Sequence, residues 1–164
     1  MNFVILYGTE SGNAETVADD LVDELSADND VQSIDMTDVE LDTLTADAFY
    51  LVVCSTHGDG GLPASAVPFA EVLDAEQPDL TGIRYAMFGL GDSSYETYSR
   101  GSERIDERLT ALGATRVGDY GRHDASDGSL PNDTALEWVR NLVAGLDADA
   151  DADADLDDVA AVAR

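Results

Sequence analysis

The run Asn2–Leu21, NFVILYGTESGNAETVADDL, decides the fold. Its opening NFVILY is continuously apolar, which predicts a strand buried on both faces. Gly12 then turns the chain, and Val17, Ala18, Leu21, Val22 and Leu25 recur at helical spacing over 14–26. A buried strand that runs through a small polar loop into a helix offers unpaired N–H groups and a helix dipole to an anion. The run nevertheless carries four carboxylates, Glu10, Glu15, Asp19 and Asp20, and no arginine occurs before Arg84. A phosphate here would be held by oriented amides and by the neutral donors Thr9, Ser11, Asn13 and Thr16, with Glu10 and Glu15 turned to solvent. Ordinary N-capping by Ser11 or Asn13, with no ligand at all, fits the same residues.

The rest of the chain repeats the pattern. Strands are expected at 31–36, 48–54, 83–89 and 115–121, and helices at 64–75, 99–112 and 133–146, with Gly113 closing the third helix. Strands alternating with helices imply a five-stranded parallel sheet covered on both faces. Ligands of such sheets sit beyond the carboxyl ends of the strands, at the point where strand order reverses. The loops after strands one, three and four are therefore the informative ones. Residues 147–164, DADADADADLDDVAAVAR, read differently: a low-complexity acidic tail, expected to be disordered, after a single domain over 1–146.

Composition narrows the chemistry. The chain has 35 acidic residues against 8 basic ones, a formal net charge of -27, and every basic residue is arginine. Without lysine there is no Walker A loop and no Schiff-base pyridoxal site. Nucleic-acid binding, which draws on clustered Lys and Arg, is not expected. The carboxylates are spread over every segment, which reads as a surface adapted to high salt rather than one docking face. With one cysteine, Cys54, no membrane-length apolar run and no basic apolar leader, a cytoplasmic protein is expected, without membrane partners.

The second loop, Ser55-Thr56-His57-Gly58-Asp59-Gly60-Gly61, has three glycines in four positions, suited to a flat ligand approaching the backbone or simply to a flexible turn. In the third, Leu90-Gly91-Asp92-Ser93-Ser94-Tyr95-Glu96-Thr97-Tyr98, Tyr95 is placed to stack on an aromatic ring. Tyr98 could serve the ligand or the core. A phosphate at loop one and a planar heteroaromatic ring between loops two and three describe flavin mononucleotide, FMN. No catalytic triad, acid–base pair or metal cluster stands out. His57 and His123 are the only histidines.

The motifs YGTESGNAE, STHGDGGLP and FGLGDSSYETY, with RIDERLTALGA after them, resemble the flavodoxin family. They are most similar to the branch holding the FMN domains of cytochrome P450 reductase and sulfite reductase and the short MioC-type flavodoxins. The resemblance implies a flavodoxin-like, doubly wound sheet in the order 2-1-3-4-5. That order and its ligand position are themselves a standard flavodoxin example. It further implies that Thr9, Glu10, Ser11, Gly12, Asn13 and Ala14 wrap the FMN phosphate. Ser55, Thr56, His57, Gly58, Asp59 and Gly60 border the isoalloxazine, with the Gly58 peptide near flavin N5. Leu90, Gly91, Asp92, Tyr95 and Tyr98 hold the other side, and the segment Asp124 to Asp127, with Asp127 as its site residue, lies near the dimethylbenzene edge. The implied role is a monomeric carrier of single electrons between a reductase and an acceptor protein. Two alternatives stay open: the stand-alone FMN subunit of a split diflavin reductase, and an FMN-dependent NAD(P)H:quinone oxidoreductase. His57 stands where many relatives place a stacking aromatic, and its protonation is a candidate tuner of the flavin potential.

Overall fold

A computed structural model describes the backbone of residues 1–162 and the side chains of residues 1–155. Its centre is a parallel sheet of β1 (Asn2–Gly8), β2 (Asp30–Asp35), β3 (Phe49–Ser55), β4 (Arg84–Gly91), β5 (Thr115–Arg116) and β6 (Gly121–Asp124). The order is β2-β1-β3-β4-β5, with β6 also paired to β4. Register is continuous across the centre: Leu6 lies between Ile34 and Val52, and Val52 pairs with Met87.

Because alternate strand residues face opposite sides, one set of apolar side chains builds two cores. Phe3, Ile5, Phe49, Leu51, Val53 and Phe88 pack under α1 (Asn13–Leu25) and α4 (Pro131–Val162). Val4, Leu6, Tyr50, Val52, Tyr85 and Met87 pack under α2 (Val67–Glu76) and α3 (Arg100–Ala111). Each of the central strands is thus buried on both faces, as its unbroken apolar run requires. Among the described residues no helix is long and apolar enough to cross a membrane.

Two elements differ from expectation. The fifth strand is split. Thr115–Arg116 pairs with the start of β4, the chain then bends through Gly118 at φ 76°, and Gly121–Asp124 rejoins β4 at its carboxyl end. The split lets the Trp138 indole N–H donate to the Asp119 carbonyl at 2.9 Å. It also carries the edge strand to the same end of the sheet as the three loops. The last helix does not stop near 146 but continues to Val162 where an irregular tail was expected. Alanine, the strongest helix former, alternates with aspartate along 147–154. Residues two apart on a helix lie about 200° around it, so the aspartates cover both sides. Leu146 is the last buried residue among the described side chains, and those of 147–155 are exposed and add nothing to the core.

Candidate functional site

The loops after β1, β3 and β4, with the segment after β6, surround a cavity of about 420 Å³ at the carboxyl edge of the sheet. That is the size of a small-molecule or cofactor site.

Loop one supplies Glu10, Ser11 and Asn13 to the lining. Gly12, at φ 96°, adopts a left-handed turn that a side chain would strain, and it leads directly into α1. Its N–H donates to Thr9 Oγ1 at 2.8 Å, and its carbonyl accepts from the Thr16 amide and hydroxyl, both at 3.0 Å. No side chain caps α1, so neither Ser11 nor Asn13 plays the ordinary capping role and the first-turn amides keep their capacity for an anion. Ala14 is fully buried in the core face of α1 and could offer the site only its backbone. Thr9 stands behind the lining. Its N–H donates to Ser65 Oγ at 2.7 Å, and its carbonyl accepts from Ser65 N–H at 3.2 Å.

Glu10 departs from the expected solvent-facing position. Its Oε2 accepts the Ala64 N–H at 2.6 Å and its Oε1 lies 3.8 Å from His57 Nδ1. The carboxylate is spent on loop two's exit, where the Ala64 amide donates to it and the His57 ring lies beside it.

In loop two, Ser55, Thr56 and Gly58 line the cavity. His57 and Gly61 exchange two backbone hydrogen bonds, 2.9 and 2.8 Å, which close residues 58–60 into a small ring. Gly58 and Gly60 take φ of 53° and 84° within it. His57, Asp59 and Gly60 lie outside the lining. Asp59 Oδ1 accepts from Thr97 Oγ1 at 2.8 Å, and the Gly60 carbonyl accepts from Arg104 Nε at 2.9 Å. Helix α3 can approach this closely because residue 101 is glycine. A Cβ there would stand 2.7 Å from the Ser55 carbonyl oxygen and 2.8 Å from that of Gly61.

Loop three brings Leu90, Gly91, Asp92, Tyr95 and Tyr98 to the cavity, with Thr97, which was not anticipated. Asp92 Oδ1 accepts from the Ser94 amide at 2.9 Å and shapes the turn. Tyr95 is 53% exposed although large and aromatic. Tyr98 is half-buried, and burial, then the Asp124 carboxylate, raises its phenol above the usual range.

The fourth wall is His123, Ala125, Ser129 and Pro131; Ala125 falls in the segment the resemblance placed near the ring, and sequence reasoning missed the other three. Asp127 is not part of that wall. Its Oδ1 accepts the Ser129 N–H at 2.7 Å, so it holds a lining residue instead of lining the cavity itself. His123 is buried, with Nε2 2.9 Å from the Ser129 carbonyl, a contact that requires the proton on that nitrogen. The readable signal was the pattern Asp124-x-Ser126-Asp127-x-Ser129, two Asx turns in succession. Reading the fifth strand as ending at 121 hid its place beside loop three. Ser93 N–H donates to Asp124 Oδ1 at 2.9 Å, and Ser126 N–H and Oγ donate to the same oxygen at 2.9 and 2.7 Å. These bonds hold the Asp124 carboxyl well below the usual range and lock the fourth wall to loop three.

No arginine lines the cavity among the described residues. Arg100, Arg108, Arg116, Arg122 and Arg140 pair with carboxylates elsewhere. Cys54 is fully buried, and burial pushes its thiol up to about 12, which makes it inert.

The family model for Flavodoxin matches residues 5–138. Protein MioC of Escherichia coli (strain K12) is 30% identical over 142 residues, covering 87% of this chain and 96% of that protein. NADPH--cytochrome P450 reductase of Saccharomyces cerevisiae is 32% identical over 136 residues, 80% of this chain but 20% of that protein. Among solved structures, a cysteine-to-serine mutant of flavodoxin from Pseudomonas aeruginosa superposes with a TM-score of 0.78 at 33% identity, covering 90% of this chain and 99% of that one.

Proposed function

The chain belongs to the flavodoxin family, and from that premise we propose that it binds FMN at the four-walled cavity and passes single electrons between a reductase and an acceptor protein. The single observation that carries the reading is the uncapped amino end of α1 beside the neutral donors Ser11 and Asn13. An anion can be held there by amide hydrogen bonds and the helix dipole, without a cation.

The residues present fit the cofactor. The first turn of α1, with Ser11 and Asn13, takes the phosphate, and Thr9 braces the turn from behind through its bond to the Gly12 N–H. Thr56, Gly58, Leu90 and Gly91 form backbone-rich edges for a planar ring, and Tyr95 stacks on its open face. Flavin, when bound, supplies reversible one-electron chemistry. The protein supplies position, exclusion of water and electrostatics. Tyr95 at 53% exposure and Leu130 at 64% are large apolar side chains at or next to the cavity rim. They offer a partner protein a contact close to the ring edge, where electrons would leave. In this reading the protein works as a monomer in the cytoplasm, and its carboxylates keep the surface hydrated at high salt.

Titration of the apoprotein with FMN and with riboflavin, read by flavin fluorescence, tests the assignment. Quenching with FMN and binding at least about tenfold weaker with riboflavin, some 1.4 kcal/mol, is expected. Equal affinity would remove the phosphate site. Rapid bleaching of the bound flavin by NADH or NADPH alone would replace the carrier with an oxidoreductase.

A further inference from the structure

Arg104 stands apart in a chain so rich in carboxylates. The neighbouring Arg100 and Arg108 on α3 pair with Glu107 and Asp74. Arg104 instead directs its Nε–H to a neutral acceptor, the Gly60 carbonyl, at 2.9 Å. A guanidinium on a backbone carbonyl is a charge-assisted bond, stronger than a neutral one.

The rest of loop two is pinned as well. The His57–Gly61 pair closes its base with two hydrogen bonds. Thr56 Oγ1 accepts the Gly101 amide at 3.1 Å, and the Asp59 carboxylate accepts from Thr97. With the Gly60 carbonyl fixed by Arg104, the two peptides flanking Asp59 are the movable part of the loop. One of them begins at Gly58, the one residue of this ring that lines the cavity.

We propose that Arg104 is the positioning residue of this loop, confining its motion to the peptides flanking Asp59 so that the Gly58–Asp59 peptide, the one at the cavity, can turn toward the ring. The inference rests on the reading that loop two borders a flavin. Oxidised flavin N5 is a hydrogen-bond acceptor. A bound flavin would supply one-electron chemistry in which N5, gaining an electron from a reductase and a proton from water, would become an N–H donor, and loop two would then have to offer it a carbonyl. A pinned loop presents one at small entropic cost, whereas a loose loop must first be ordered. Arg104 therefore favours the reduced side of the first-electron couple selectively, while touching no flavin atom.

The test compares Arg104→Met, Arg104→Lys and Arg108→Met in the full chain. The readouts are the first-electron potential of the FMN-loaded protein and hydrogen exchange at the Gly61 amide. Arg104→Met is expected to weaken binding of the reduced form relative to the oxidised about tenfold, a fall of about 59 mV. It should also speed Gly61 exchange about tenfold. Arg104→Lys keeps a cation able to reach the carbonyl and recovers most of both. Arg108→Met, which removes the same charge one turn away, changes neither. Wild-type values in Arg104→Met overturn the proposal. So does a potential shift of equal size in Arg108→Met, which would be charge acting through space, or faster exchange with no change in potential. A wild-type protein that binds no FMN defeats the functional reading instead, and Gly61 exchange in the apoprotein then decides whether Arg104 holds the loop.

Discussion

The Glu10 carboxylate accepts the backbone N–H of Ala64 at 2.6 Å, tying loop one to the exit of loop two. A side chain whose charge would oppose a phosphate is thereby turned into a brace between two walls of the cavity. Removing the brace with Glu10→Ala leaves the Ala64 amide to water. At this exposed site the loss is about 1 kcal/mol, so FMN affinity should fall about fivefold. Glu10→Gln keeps an acceptor, removes the charge, and should bind FMN at least as well as wild type. Fluorescence titration distinguishes the two, and a Gln variant weaker than the Ala variant would show that the charge itself matters.

Gly101→Ala places a methyl against the Ser55 and Gly61 carbonyl oxygens. Helix α3 must move away from loop two, a cost of about 1–3 kcal/mol. A lower urea midpoint together with weaker FMN binding is expected. Unchanged urea unfolding would mean that α3 and loop two are not in contact as described.

Asp124 gives a pH signature. Its folded-state carboxyl is held below the usual range by bonds from Ser93 and Ser126. Stability from this group is complete above the unfolded value, about pH 4. It is lost only as pH falls through the lower folded value. Carbon-detected NMR titration of the Asp124 carboxyl should show a midpoint below the ordinary aspartate value of about 3.9. In Ser126→Ala, which removes one donor, the midpoint should move up toward it.

The cavity lining contains carboxylates at Glu10 and Asp92 and no arginine among the described residues. Two-electron-reduced flavin tends to carry a negative charge, which this lining disfavours. The second-electron potential should therefore lie below that of free FMN by at least about 59 mV, a tenfold effect. A spectroelectrochemical titration reads it directly, and a potential equal to free FMN would contradict the electrostatic argument.

A net charge of -27 on 164 residues repels itself strongly at low ionic strength. The screening length shrinks from about 10 Å at 0.1 M salt to about 3 Å at 1 M. The thermal midpoint should rise on going from dilute buffer to molar potassium chloride, steeply at first. A midpoint independent of salt would argue that the carboxylates serve a partner instead.

The sheet order was expected from the family resemblance, while the four helices and the placement of three loops at one end were legible because they follow from unbroken apolar runs and helical spacing. Glu10, Ser11, Asn13, Ser55, Thr56, Gly58, Leu90, Gly91, Asp92, Tyr95 and Tyr98 meet at one cavity for that reason. The fourth wall was legible only at Ala125, and there from the family resemblance. It depends on the bend at Gly118 that restarts the edge strand beside β4, a tertiary event with no periodic signal. The brace at Glu10 was missed because charge counting says what a side chain carries and not which amide lies within its reach. The extension of α4 was missed because acidity suggested disorder, while the alternate alanines support helix.

Helix α4 starts at Pro131, in the wall of the cavity, and continues to Val162. At 1.5 Å per residue its far end lies roughly 48 Å from that wall. A surface linker or affinity tag attached there would leave the flavin crevice open to soluble partners. It would also hold the crevice too far from an electrode for direct tunnelling, so any current from a protein tethered this way must be carried by a freely diffusing mediator.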